Sequence, residues 1–231
     1  MRIERTWRDE DGTRLAATVW RAGDGWRGVS SAMAGGGIGP VRWVLNAQVA
    51  AGYARMDPVA HLAELAAAQG LTGRGVGMLT AASVDRTVQR EDGGVHVSAT
   101  VGLRVPTWAA APEGAADREL APIRLDAPVP RAGLPGTVNI VVAVPVPLSD
   151  AALVNAVVTA TEAKTQALLE AGYRCTGTAS DAVCVAAPDT GDEEPFAGPR
   201  SVWGARIARA VHGAVHAGAV DYTAYLRSRS G

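Results

Sequence analysis

The sequence predicts an α+β fold, a mostly antiparallel or mixed sheet covered by helices in a single domain spanning residues 1–231. Strand patterning dominates the first half and long helical patterns enter only late, so strands and helices do not alternate as they would in a doubly wound fold. A chain of 231 residues also buries roughly 70 % of the surface its unfolded form exposes, enough to hold one core without a metal or disulfide.

In chain order, residues 15–20, 28–34 and 41–49 read as strands, and the GGGIGP segment at 35–40 breaks the chain between the last two. Pro58 opens a helix that runs to about Gln69, with Asp57 as its cap and Gly70 as its stop. Residues 76–82 form a short apolar strand. Residues 95–103 alternate, with Val95, Val97, Ala99, Val101 and Leu103 facing one way and His96, Ser98, Thr100 and Gly102 the other. That is the pattern of a half-buried antiparallel strand. Residues 106–135 are rich in Pro, Ala and charge without a period and read as a long surface loop or insertion. The run TVNIVVAVPV at 137–146 predicts a central strand covered on both faces. Ser149 or Asp150 then caps a helix that continues to Ala171 and stops at Gly172. Residues 181–187 return as a strand, and Ser201 caps a last helix through about Gly218. The sequence shows no internal repeat.

Lys plus Arg number 22 against 23 acids, interspersed along the chain, which gives no footprint for nucleic acid or an anionic membrane. No run approaches the ~20 apolar residues of a membrane span, and the opening MRIERTWRDEDGTR is charged where a secretory signal is apolar. The expectation is a soluble cytoplasmic protein, with a homo-oligomer left open. Cys175 and Cys184 lack zinc-ligand spacing and are expected to be reduced structural thiols. In GGGIGP, Pro40 occupies the third glycine position of a dinucleotide fingerprint, and neither a Walker A loop nor a GxSxG elbow is present. His212 and His216 stand four apart, but Gly213 replaces the glutamate that follows the first His of a zincin, so a packing or surface role is expected. No resident cofactor and no metal-ligand set is read, and metal dependence stays open.

Chemistry concentrates in the second half. On the helix from Asp150, residues Asn155, Thr159, Glu162 and Gln166 fall at i, i+4, i+7 and i+11, a polar stripe, while Val154, Val157, Val158, Leu168 and Leu169 supply the docking surface. Glu162, and Asp181 beside Thr178 and Ser180, are acids set among small or apolar residues. Such surroundings suit a general acid or base, or an ion pair with Lys164 or Arg174. Asn46 and Asn139 lie in apolar strands, where an amide without partners costs about 1–3 kcal/mol, so backbone, water or substrate must satisfy each. Gly35, Gly36 and Gly37 either bring backbone N–H groups close to a ligand or serve a tight strand connection.

Taken together and in order, SSAMAGGGIGPVRWVLNAQV (30–49), GTVNIVVAV (136–144), TATEAKTQALLEAG (159–172), TGTASDAV (176–183) and FAGPRSVWGARIARAV (196–211) resemble the adenosylcobinamide amidohydrolase family of corrinoid-salvage enzymes. The likeness runs from about residue 28 to 215. It implies hydrolysis of the amide that joins a propionate arm of the corrin ring to aminopropanol in adenosylcobinamide, releasing adenosylcobyric acid and 1-amino-2-propanol. The context implied is corrinoid salvage or cobamide remodelling, with the corrinoid as substrate. Within that reaction the residues would divide the work: Glu162 activates water, Asn46 or Asn139 with loop N–H groups holds the oxyanion, and Asp181 with Ser180 orients the amide. Asn139, Thr159, Thr178, Gly35, Gly36 and Gly37 would line the substrate. A covalent route through Thr178 or Ser180 is the competing version. The whole scheme requires Glu162 and the two asparagines to converge on one hollow. A non-catalytic corrinoid-binding module, or an amidase or lactonase acting on another small substrate, are the alternative functions.

Overall fold

The chain opens with a hairpin in which β1 (Ile3–Glu10) and β2 (Thr13–Arg21) pair antiparallel around Asp11 and Gly12. Both turn residues have positive φ, as a two-residue hairpin turn requires. The computed structural model describes residues 1–50, 52–117 and 136–229. β3 (Trp26–Ser30) and β4 (Gly37–Pro40) form a second hairpin that belongs to a different sheet, and β5 (Trp43–Gln48) returns to pair with β2. α1 (Pro58–Ala68) then crosses over to β6 (Val76–Thr80), which lies parallel to β5. β7 (Val88–Asp92), β8 (Val95–Gly102), β9 (Thr137–Ala143), α2 (Asp150–Glu170), β10 (Ala182–Pro188) and α3 (Val202–Arg229) complete the order.

The result is α+β with two mixed sheets, β1-β2-β5-β6 and β4-β3-β10-β9-β8-β7, in which β5/β6 and β9/β10 are the parallel pairs. The sheets stack face to face. Trp20, Val44, Val76 and Met78 of the smaller sheet meet Val141, Ala143, Ala182, Cys184 and Ala186 of the larger. α1 covers the outer face of the small sheet through Leu62 and Ala66. α2 and α3 cover the outer face of the large one, against Val138, Ile140, Val142, Val183 and Val185.

This layering explains where the structure departs from the sequence reading. β8 is buried on both faces, because the small sheet lies over the side that carries Ser98 and Thr100. The α2 docking face is not the valine stripe: Val154, Val158 and Leu169 are exposed, and Ala152, Ala156, Ala160, Ala163 and Ala167 are buried with Leu153 and Leu168. Alanines let a helix lie close to both a sheet and a neighbouring helix, and α2 packs along α3. β1, β4 and β7 stand where no strand was expected. β7 and β8 are joined through Gly93 and Gly94, both at positive φ. Ser149 accepts from the Ala152 N–H and Ser201 from the Gly204 N–H, as read from sequence. Asp57 does not cap α1, because its carboxylate is held by Arg55. α3 outruns its expected end at Gly218 by reaching Arg229. Of the expected loop at 106–135, residues 118–135 lie outside the described residues.

Candidate functional site

Two polar clusters flank the first residues of β9. The inner one bridges the sheets. Asn139 and Thr100 are register partners on the large sheet, and Asn46 faces them from the small one. The Asn139 amide NH2 donates to Asn46 Oδ1 at 2.8 Å and to the Leu79 carbonyl at 3.1 Å, so the amide cannot be flipped. Asn46 Nδ2 donates to Thr100 Oγ1 at 2.8 Å, Thr100 meets Thr87 at 2.6 Å, and Thr87 donates to the Val84 carbonyl. Because each link fixes the next, the donors all point one way, from Asn139 to Val84. Asn46 and Asn139 are both buried. One loose end remains: Asn139 Oδ1 is buried without a hydrogen-bond partner among the described residues.

The expected oxyanion role of the asparagines is thereby reversed. Their NH2 groups engage protein acceptors, and the open atom is an acceptor, the wrong polarity to stabilise an oxyanion.

The outer cluster sits at the rim where β9 and β10 begin. The Asp181 carboxylate accepts from the backbone N–H of Val138 (2.8 Å) and of Thr178 (3.1 Å), from the Thr178 hydroxyl and from the Lys164 ammonium (2.6 Å). The Thr178 hydroxyl, with its single proton, also lies 2.7 Å from the Gly136 carbonyl, so Asp181 organises the turn through its two backbone contacts and the ammonium. The Lys164 and Asp181 side chains are only 8 % and 10 % exposed. The Ser180 hydroxyl meets Thr137 Oγ1 at 2.8 Å and the Gly136 carbonyl at 3.2 Å, and Ser180 itself is exposed. Gly177 lets the turn pass over the ion pair: a Cβ there would stand 2.1 Å from Asp181 Oδ2. The same turn pairs with residues 107–109, where the Thr107 N–H donates to the Gly177 carbonyl and the Ala109 N–H to Thr176 Oγ1. That strap carries the exposed Trp108.

Of the residues expected to act together, the structure brings Asp181, Thr178 and Ser180 into one cluster and Asn46 and Asn139 into the other. It does not bring Glu162 to either. Glu162 is exposed on α2, which covers the outer face of the large sheet, and that sheet stands between the helix and the asparagines. The required convergence is therefore overturned; the helical stripe turns the carboxylate outward, while Lys164, two residues on, turns in. Thr159 is buried but donates to the Ala197 carbonyl, a tie between α2 and the loop before α3. Asn155 lies beside Gly198 in the same contact, and Gln166 pairs with Glu170 on the surface.

Gly35, Gly36 and Gly37 are accounted for by packing. A Cβ on Gly35 would meet the Gly75 carbonyl at 1.9 Å and one on Gly36 the Ala32 carbonyl at 2.4 Å, while Gly37 pairs with Ser30 in β4. Arg74 holds this loop by donating to the carbonyls of Gly35, Gly36 and Pro40. The thiols are buried and free, and burial pushes Cys184 up to about 12. His212 stacks on His216 and pairs with Glu170. A small cleft lies between β1, β2, β5 and α1, lined by Trp7, Leu15, Leu45 and Leu65. It is on the outward face of the small sheet, opposite Asn46, and touches neither cluster. Among the described residues no group of three or more His, Cys, Asp or Glu could hold a metal ion, and no helix is long and apolar enough to cross a membrane.

Lys164, Thr137, Thr100 and Thr87 are members that sequence reasoning did not assign to a site. Lys164 stood only as one ion-pair option for the acids, because nothing in the helix pattern marked the side it would face. Thr100 lay on the strand face read as solvent-exposed.

A family model described as adenosylcobinamide amidohydrolase matches residues 3–226. A Methanosarcina mazei protein named adenosylcobinamide amidohydrolase is 31 % identical over 192 residues, covering 79 % of this chain and 85 % of its own. A Halobacterium salinarum protein of the same name is 41 % identical over 126 residues, covering 54 % of this chain and 50 % of its own.

Proposed function

Since the chain belongs to the adenosylcobinamide amidohydrolase family, we propose that it hydrolyses the aminopropanol amide of adenosylcobinamide, giving adenosylcobyric acid and 1-amino-2-propanol. The observation that carries this reading is the family match over nearly the whole chain, which takes in both polar clusters. The role is corrinoid salvage or cobamide remodelling in the cytoplasm, with the corrinoid as the partner and no resident cofactor.

The rim cluster is where the amide is placed. Ser180 and Thr178 present hydroxyls held by Thr137, Gly136 and Asp181, and these orient the amide. The corrin ring lies over the rim against Trp108, whose flat apolar face stands next to the turn. Asn139 Oδ1, inward from Thr137 on the same face of β9, is an acceptor for a donor on the incoming arm, and Asn46 holds it in place. Glu162 takes no part in the chemistry.

Purified protein incubated with adenosylcobinamide and, separately, with cobalamin tests the reading by liquid chromatography and mass spectrometry. Release of 1-amino-2-propanol from adenosylcobinamide supports it. Corrinoid affinity without release would leave a binding module. An acyl-enzyme trapped at Ser180 or Thr178 selects the covalent route, and prior dialysis against chelator reads metal dependence.

A further inference from the structure

Amide hydrolysis places negative charge on the carbonyl oxygen as the carbonyl carbon becomes tetrahedral, and some group must meet that charge. The asparagine amides lie between the sheets, with both protons of Asn139 and one of Asn46 given to protein acceptors. We propose that the Lys164 ammonium is a catalytic group of this enzyme, donating to the carbonyl oxygen of the bound amide and holding the oxyanion that forms there. The inference rests on the amide-hydrolysis reading above.

Three observations carry it. An ammonium has three protons, and among the described residues Asp181 Oδ2 is the acceptor that Lys164 Nζ meets, which leaves two protons to place. Asp181 is also anchored without the lysine, since the backbone N–H groups of Val138 and Thr178 both donate to its carboxylate. Replacing a buried ion pair by apolar groups is often neutral or stabilising, so stability alone gives no reason to bury this lysine. Finally, the backbone at Gly177 passes over the pair with no side chain, and a Cβ there would come within 2.6 Å of Nζ. Lys164 is thus enclosed by protein yet flanked by the one turn that presents Ser180 and Thr178.

The chemistry balances simply. The attacking oxygen, from water or from a hydroxyl later released by water, bonds to the carbonyl carbon while the C=O π pair moves to the oxygen facing Lys164. The pair returns as the C–N bond breaks, and the proton lost by the attacking group ends on the departing amine. One water is consumed overall. Paired with Asp181, Lys164 is neutralised toward the uncharged ground-state amide and gains most from the charge that exists only in the transition state.

The test is a pair of variants measured for corrinoid binding by absorbance titration and for release of 1-amino-2-propanol in single turnover. K164M/D181N removes both charges so that no unpaired ion is buried, and Lys164→Gln keeps a donor to Asp181 without charge. Each is expected to bind adenosylcobinamide within about threefold of wild type and to lose about 10²-fold to 10³-fold in turnover. Lys164→Arg, which keeps the cation, should recover part of that loss. Turnover within about tenfold of wild type in whichever of the two uncharged variants folds overturns the assignment. Failure of the wild-type protein to release the amine sinks the amidohydrolase reading instead.

Discussion

The two clusters beside β9 are both polar, both largely buried and neighbours along one strand, yet one is neutral and the other is an ion pair. In the Asn139–Asn46–Thr100–Thr87 chain every side-chain polar atom but Asn139 Oδ1 has a protein partner, and all the groups are neutral. At the rim a carboxylate held by two backbone N–H groups faces a cation that retains protons beyond that pair. Burial of polar groups therefore does not itself mark a reactive site. A neutral chain ties two sheets in register, whereas a cation with donors beyond its partner has capacity for charge that develops on a ligand.

Breaking the rim pair should have the largest effect. Asp181→Ala leaves the Lys164 ammonium buried and unpaired, which is expected to cost about 3–5 kcal/mol, read as a lower midpoint in urea unfolding. A midpoint shift as small as that of a surface substitution would mean the pair is more solvated than its enclosure indicates. Cutting the inner chain should cost less. Asn46→Leu removes partners from Asn139 and Thr100, for about 1–3 kcal/mol per group left unsatisfied. Because Asn46 meets the arm only through Asn139, the folded fraction should weaken in KM and stay within about tenfold of wild type in kcat. A kcat loss on the scale expected at the rim, without loss of stability, would move the chemistry to the inner cluster and erase the contrast.

Trp108→Ala probes the rim from outside. It should weaken corrinoid affinity by about tenfold, near 1.4 kcal/mol, and leave unfolding unchanged, since the indole is exposed. Equal affinity in the variant would place the ring elsewhere. Alkaline pH addresses the thiols and phenols that folding buries. Burial raises the thiols of Cys184 and Cys175 and the phenols of Tyr53 and Tyr173. The folded chain therefore keeps protons that the unfolded chain gives up, so stability is fully present below the unfolded thiol range and falls as pH rises from about 9 toward about 12. Equilibrium unfolding at about pH 8 and about pH 10 checks the sign. Smallest of all is Glu162→Gln, expected within about ±0.5 kcal/mol in stability and close to wild type in turnover, because the carboxylate faces solvent. Abolished turnover in that variant would return Glu162 to the mechanism.

The long elements were legible in the sequence because Pro58, Ser149 and Ser201 mark helix starts and an unbroken apolar run marks a buried strand: α1, α2 and the start of α3 stand where they were read, and β9 does so as far as Ala143. The charged opening IERTWRDE concealed β1, since an edge strand exposed on alternate residues carries little apolar signal, although the Asp11–Gly12 turn announced a hairpin. VQRED concealed β7 for the same reason, and its cue was Gly93–Gly94. The second face of β8 could not be read, because its Ser and Thr look solvated until another sheet covers them. At the site, the Asp181 turn and the need for partners at Asn46 and Asn139 were visible. Which of Glu162 and Lys164 turned inward was not: two residues along a helix rotate a side chain by about 200°, and the docking face was set by alanines, the weakest hydrophobic signal.

The order of strands has a consequence for how the molecule is made. β3 pairs with β4 on one side and with β10 on the other, and Val29 meets Val185 across more than half the chain. While synthesis proceeds from the N-terminus, that early hairpin waits with an unpaired edge until the penultimate element arrives, and β9 needs α2 behind it before β10 can lie parallel. Such distant pairing makes for slow folding, and a chain cut before residue 182 would leave the hairpin stranded beside a sheet that has lost its centre.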